Sequence, residues 1–307
     1  MRLIVHLHFL VLFLILLFSC MNKIIFSLGL VLCSLQVKSQ SFLTWKLNDR
    51  YFSVAVGSGQ TKYIGELNAE NKRQTDFSHG TLAIEARLWS HLSARLSAGF
   101  YQLRGDDEKA PDGSFEKERN LSFTSNNWEL NMQSIFFIRP YAGNYDQRWK
   151  IDPYLSFGFG MTTLDPFTYL QIQENGEEIN AKFSLRDYQT EHVAYDPLTF
   201  IIPAGVGVKM KITPFLNFNF ELAYRYTFTD YLDDVSGSFP SFTDNSSIQS
   251  KLSNRRREQF LENEEAWESL DAGFSRGNSN NNDQYLFFSI QIEAFLPVGK
   301  GEMFKRS

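Results

Sequence analysis

Over residues 216–228 the chain alternates without a break. Leu216, Phe218, Phe220, Leu222, Tyr224, Tyr226 and Phe228 are apolar or aromatic, and Asn217, Asn219, Glu221, Ala223, Arg225 and Thr227 stand between them. A period of two places the first set on one face of an extended strand and the second set on the other. The stretch is roughly twice the ~5–6 residues typical of strands in soluble domains. It suits a tilted membrane-crossing strand of about 9–11 residues that continues past the bilayer. Seven further segments repeat the pattern, at 52–59, 82–88, 92–100, 127–138, 155–161, 202–210 and 285–296, with Ser134 as an interruption in the apolar series of the fourth.

The connections between these eight segments alternate in length. Short ones fall at Trp89-Ser90-His91, at about 140–150 and at Ile212-Thr213-Pro214; long ones fall at about 61–79, 105–120, 164–198 and 230–283. Strict alternation of short turns and long loops is the plan of an up-and-down barrel with periplasmic turns and outer loops. The expected fold is therefore all-β: an eight-stranded antiparallel transmembrane β-barrel in the outer membrane of a Gram-negative bacterium. An even strand number puts both termini on the periplasmic side. The same alternation also fits a soluble barrel of the lipocalin type, whose apolar face lines a ligand cavity. Strand length, aromatics near strand ends and the many Gly, Ser and Ala on the polar face favour the membrane barrel, with outer-membrane lipid around it.

Composition narrows the field. The chain has 307 residues, 15% of them aromatic, and a net charge of -5. It has no basic footprint for nucleic acid. A mean hydropathy of -0.27 excludes a polytopic helical membrane protein but not a barrel, in which every second strand position is polar. After residue 40 no apolar run approaches the roughly 18–20 residues of a membrane helix. Residues 1–40 read as a leader. An apolar stretch at 3–18 is followed by a second, self-sufficient secretory signal that starts at Met21-Asn22-Lys23 and exits at Val37-Lys38-Ser39. Translation from Met21 is the simplest reading; a lipobox ending in Cys20 and an uncleaved anchor are the others. Residues 41–307 form the barrel domain, with a long loop insertion at about 230–283. The two cysteines, Cys20 and Cys33, both lie in the leader, so a disulfide scaffold is excluded.

The strand parity sends eight charges inward: Glu85, Glu129, Glu221 and Glu293, with Arg87, Arg95, Lys209 and Arg225. Buried charges persist when paired and hydrogen-bonded, so these four acids and four bases are expected to form a salt-bridged plug. Eight strands leave little room for a channel. Lys209, Glu221 and Glu293 are expected to cluster low in the barrel, with Arg225 higher and joined to other residues. Catalytic candidates are thin. Asp76 and His79, near Ser78, are read as a solvated loop, and no cofactor motif is present. Asp106, Asp107 and Glu108, and Asp230, Asp233 and Asp234, are carboxylate clusters that calcium could occupy, but neither has EF-hand spacing; both are read as solvated loop acids. In the fourth long connection, 236–250 is rich in Ser, Gly, Pro and Asn, 255–270 reads as a charged helix, and 276–283 is an Asn-rich linker.

Several segments carry a family resemblance: Tyr63-Ile64-Gly65-Glu66-Leu67, Arg104-Gly105-Asp106-Asp107, Arg119-Asn120-Leu121-Ser122-Phe123 and, most specifically, Asp230-Tyr231-Leu232-Asp233-Asp234-Val235-Ser236-Gly237. Over roughly 45–300 the chain resembles the PorG-like outer-membrane barrels associated with type IX protein secretion. It departs from them by enlarged third and fourth loops. The resemblance implies a non-enzymatic structural role, anchoring a periplasmic lipoprotein ring of the secretion machine to the outer membrane. The alternative is a surface barrel that binds a ligand or adhesion partner through its long outer loops.

Overall fold

A computed structural model describes residues 51–67, 78–141, 143–174, 177–244, 246–259 and 272–296. The expected leader at 1–40 and most of the expected charged helix at 255–270 lie outside the described residues. The described residues form ten strands: β1 Phe52–Ile64, β2 His79–Trp89, β3 Leu92–Asp106, β4 Ser122–Phe137, β5 Ile151–Thr163, β6 Pro166–Glu174, β7 Glu177–Ser184, β8 Leu198–Lys211, β9 Leu216–Thr227 and β10 Gln284–Leu296. Eight of them, all but β6 and β7, pair antiparallel with their neighbours around a closed ring in which β10 meets β1 and β3 meets β4. Closure pairs the backbones of these eight strands and leaves the ring no open edge, the condition for a β-structure in lipid.

The register sets the size of the barrel. Paired residues run around the wall from Met161 through Leu130, Ala98, Leu82, Val56, Ile292, Phe218 and Met210 to Ile151, which returns the path to β5 ten residues from its start (Met161 against Ile151). Such a stagger on eight strands means tilts of about 35–45° and a bore that side chains can fill.

The faces are assigned by burial. Trp128, Phe159, Phe200 and Val56 are 64%, 67%, 64% and 62% exposed, whereas Asn127, Thr162, Thr199 and Ser53 close to them in sequence are buried. The apolar set therefore looks outward and the polar set fills the bore, which is the inverse of a lipocalin. A wall of exposed Leu, Ile, Phe and Trp this large is stable only against lipid.

The remaining strands, β6 and β7, form a hairpin within the third long connection, and β6 extends the sheet of β4 through Thr124–Phe167 and Ser125–Pro166. By sequence this stretch reads as loop. Its alternation is short, and β7 is too polar and exposed to show an apolar face. Three short helices among the described residues sit in the other long connections and after this hairpin: α1 Phe115–Arg119, α2 Leu185–Tyr188 and α3 Ile248–Ser253. In place of the start of a helix after residue 255, the structure has a single tight 3-10 turn at Arg256–Gln259. The long connections pack together into a second apolar core above the barrel mouth, built on Tyr63, Leu67, Leu103, Leu121, Phe123, Leu164, Leu232, Val235 and Leu252.

Candidate functional site

Two regions concentrate buried chemistry: the bore and the loop cap. Within the bore, an alternating line of charges crosses from wall to wall. Glu293 accepts from Lys209 at 2.8 Å, Lys209 reaches Glu85 at 2.8 Å, Arg95 pairs with Glu85 at 3.2 Å, and Arg95 pairs with Glu221 at 2.5 Å. Neutral donors complete the carboxylates. Ser53, Asn217 and Asn219 donate to Glu293, and the Tyr154 hydroxyl donates to Glu221 at 2.5 Å. Nearer the long loops a second group holds Glu129 between Arg225 (3.1 Å), Tyr285 (2.7 Å) and Asn131. Seven of the eight inward charges are thus in ion pairs. The eighth, Arg87, lays its guanidinium over the Phe137 ring at 3.9 Å and donates to the Ser90 carbonyl.

The pairing differs from the sequence expectation in one respect. Lys209 joins Glu293, but its other partner is Glu85, not Glu221. In the wall Lys209 faces Asn219 and Glu221 faces Gly207. Glu221 instead crosses the bore to Arg95 on β3. In so narrow a barrel the opposite wall is as close as the next charge along the same wall. Gly207 matters here. A Cβ at that position would stand 2.3 Å from the Tyr154 ring, so only glycine lets that ring lie flat on the wall and aim its hydroxyl at Glu221. The void lined by Arg95, Glu129, Asn131, Glu221 and Arg225 is about 20 Å³, room for about one water. The bore is a packed core, not a channel.

The short-turn end is closed by Arg148, which the strand pattern does not flag because it lies in a turn. It donates to Asn217, to the carbonyls of Tyr145, Thr213, Pro214 and Leu216, and sits 4.3 Å over the Phe295 ring.

The cap gathers the residues that carry the family resemblance. Tyr63, Gly65, Arg119, Asn120, Asp230, Tyr231, Asp233 and Asp234, spread over more than 170 positions, meet above the barrel mouth. Arg119 holds Asp107 through two bonds of 2.7 and 2.9 Å and donates to the Glu66 and Arg276 carbonyls, joining the first, second and fourth connections. Asn120 adopts a left-handed φ of 58° to end α1 and donates to the Arg255 carbonyl. Arg276, fully buried, pairs with Glu191 at 2.8 Å and Asp234 at 3.5 Å and so adds the third connection. Asp234 also accepts from the hydroxyls of Thr190 and Tyr195, and Tyr195 stacks on Tyr231 at 4.6 Å. Arg276 and Glu191 are not legible as site residues in the sequence. Each looks like an isolated loop charge.

These carboxylates are buried, not solvated as expected. Burial pushes the Asp234 carboxyl up to about 6 despite Arg276, and pushes Asp230 up to about 7. Asp233 and Asp283 are raised further, by burial first and then by neighbouring carboxylates. The Tyr63 hydroxyl lies 2.7 Å from Asp233 and 2.5 Å from Asp283. One hydroxyl proton serves one of the two carboxylates at a time. The second acidic run divides its roles: Asp106 caps the backbone of Glu108, and Asp107 serves Arg119.

His79 is also relocated. It begins β2, points into the bore, stacks on Phe287 at 4.6 Å and lies 2.9 Å from the Ser289 hydroxyl. Ser78 bonds Thr61 instead, and Asp76 lies outside the described residues.

A closed up-and-down wall of eight strands, apolar outside and filled by ion pairs inside, defines an outer-membrane-type β-barrel. Residues 35–260 match the model of a domain of unknown function, DUF6089, and the chain belongs to that family. No protein of curated function matches the sequence. Solved structures similar to the chain include Neisserial surface protein A, at 10% identity over 80% of this chain and 96% of that one, with a TM-score of 0.35. Ail, the attachment invasion locus protein of Yersinia pestis, is 9% identical over 81% and 99%, with a TM-score of 0.34. A major outer membrane protein from Thermus thermophilus is 15% identical over 80% and 99%, with a TM-score of 0.39.

Proposed function

We propose that this protein is a non-enzymatic anchor in the outer membrane, a structural component of a type IX protein secretion assembly. One observation carries the reading: the bore is filled by the Glu293–Lys209–Glu85–Arg95–Glu221 line, and the voids beside it are only about 20 and 10 Å³. A barrel that passes no solute acts through its ends. The short turns face the periplasm in this reading, together with both termini, and offer a rigid docking surface held by Arg148 to a periplasmic lipoprotein or secretion-ring protein. The sequence resemblance to PorG-like barrels supports the same role.

Co-purification from mild detergent tests it. A periplasmic lipoprotein that stays with the barrel supports the anchor, and its loss on substitution in the 140–150 turn locates the contact. An external ligand instead would favour the alternative, binding at the outer loops, for which the β6–β7 hairpin with exposed Tyr169 supplies a surface. Orientation is tested separately. A tag at Asn278 should be labelled by antibody on intact cells and a tag after Ser307 should not; the reverse would overturn the placement of the turns.

A further inference from the structure

Three carboxylates in the cap stand apart from the ion pairs described above. Glu66 follows β1, Asp230 follows β9, and Asp283 precedes β10, so the three come from the ends of adjacent strands. One oxygen from each lies within 4.8 Å of the others. Asp283 is fully buried and Asp230 is 7% exposed. Among the described residues no lysine or arginine forms an ion pair with any of the three, because Arg119 is taken by Asp107 and Arg276 by Glu191 and Asp234.

The second observation is Asp230 itself. Both of its carboxylate oxygens are buried and neither accepts a hydrogen bond. The Ser236 hydroxyl is close enough to favour the charged form but is not in bonding geometry. A buried carboxylate without donors is costly unless something else supplies positive charge. Its neighbours are better provided: Asp283 accepts from the Leu232 amide and faces the Tyr63 hydroxyl, and Glu66 accepts from the Asn278 amide. Gly65 brings its backbone against the group; a Cβ there would lie 2.1 Å from an Asp283 oxygen.

We propose that Glu66, Asp230 and Asp283 form a divalent-cation site whose ion is calcium. Calcium binds oxygen donors at about 2.3–2.6 Å in irregular arrangements and completes its shell with water, and a span of this size between carboxylate oxygens accommodates it. Magnesium demands a near-ideal octahedron at about 2.0–2.1 Å and gives up its water reluctantly, so a group of carboxylates of which two are buried suits it less well. Bound calcium gives Asp230 the partner it lacks and ties the first and fourth connections to the rim of three neighbouring strands.

The test uses the full-length protein in detergent, stripped with a chelator and titrated with calcium chloride by calorimetry, in parallel with thermal unfolding. The expected result is one calcium per chain, with a dissociation constant on the order of 10⁻⁵ to 10⁻³ M, as in extracellular and sensor sites, and a rise in unfolding temperature on binding. Asp230→Asn should fold, since it removes an unpaired buried charge. Without calcium it should be at least as stable as the stripped wild type, and with calcium it should gain nothing. Glu66→Gln, at the more exposed ligand, should weaken binding at least tenfold. Absence of calcium binding by the wild type up to about ten times the weakest of these constants would mean that the carboxylates share protons instead, and would overturn the site. So would an unchanged calcium response in Asp230→Asn.

Discussion

Arg95 is the hub of the bore, and its removal gives the sharpest test of the ionic packing. Its guanidinium pairs with Glu85 at 3.2 Å and Glu221 at 2.5 Å, and all three residues are buried. In Arg95→Met, Glu221 keeps only the Tyr154 hydroxyl and Glu85 keeps only Lys209. Breaking a buried pair from one side costs about 3–5 kcal/mol, because the carboxylate left behind has lost its solvent and its partner. Each carboxylate here retains one donor, so the lower end, about 3 kcal/mol, is expected. Adding Glu221→Gln removes the stranded charge while the amide oxygen still accepts from Tyr154. The double variant should therefore recover to within about 1–2 kcal/mol of the wild type. Denaturant unfolding in lipid vesicles, followed by tryptophan fluorescence, gives the order of midpoints, with an unchanged slope as the condition for comparing them. A double variant less stable than the single one would mean that the two side chains contribute independently. Two silent variants would mean a water-filled bore. Either result refutes the packed lumen.

Phe220→Arg, at a 45% exposed position on the lipid face, should lose about 2–4 kcal/mol in the same assay and assemble poorly, whereas Asp112→Asn in the exposed second loop should not. Gly207→Ala should cost about 1–3 kcal/mol by pushing the Tyr154 ring off the wall, and Tyr154→Phe in the same background should add little, since the bond to Glu221 is already broken. The cap carries a pH dependence. Burial raises Asp234 to about 6, with Arg276 opposing and Glu191, Thr190 and Tyr195 around it. A raised carboxyl contributes stability that is present below its unfolded value, near 4, and is lost as pH rises through 6. Hydrogen-exchange protection of calcium-free 229–237 should fall between pH 4 and pH 6.5, corrected for intrinsic exchange, and Asp234→Asn should flatten that fall.

The eight barrel strands and the facing of the residues inside the alternating segments were legible in the sequence, because a period of two is a local property of an extended chain. The strand ends were not, and Tyr63 and His79, which read as loop residues, lie on β1 and β2. The run at 216–228 fixed which of its residues meet lipid before any partner strand was known, and the alternation of short and long connections implied the closed ring. That β6 and β7 pair was not legible, since their polar faces lie at the rim, where no bilayer enforces alternation.

What the bore and cap charges do was decided only by the tertiary structure. Glu221 and Arg95 are 126 positions apart and meet across the bore, a distance set by strand number and stagger rather than by either segment. Reasoning along one wall pairs Lys209 with Glu221. The closed geometry gives Glu221 to the far wall and Lys209 to Glu85. In the same way Asp230, Asp233 and Asp234 look in sequence like one solvated acidic run. The cap sends them to three separate partnerships: Asp230 toward Glu66 and Asp283, Asp233 to Tyr63, and Asp234 to Arg276. Pattern reports which face a residue is on; burial and the identity of its partner follow from chain segments brought together from far apart, and no local sequence contains them.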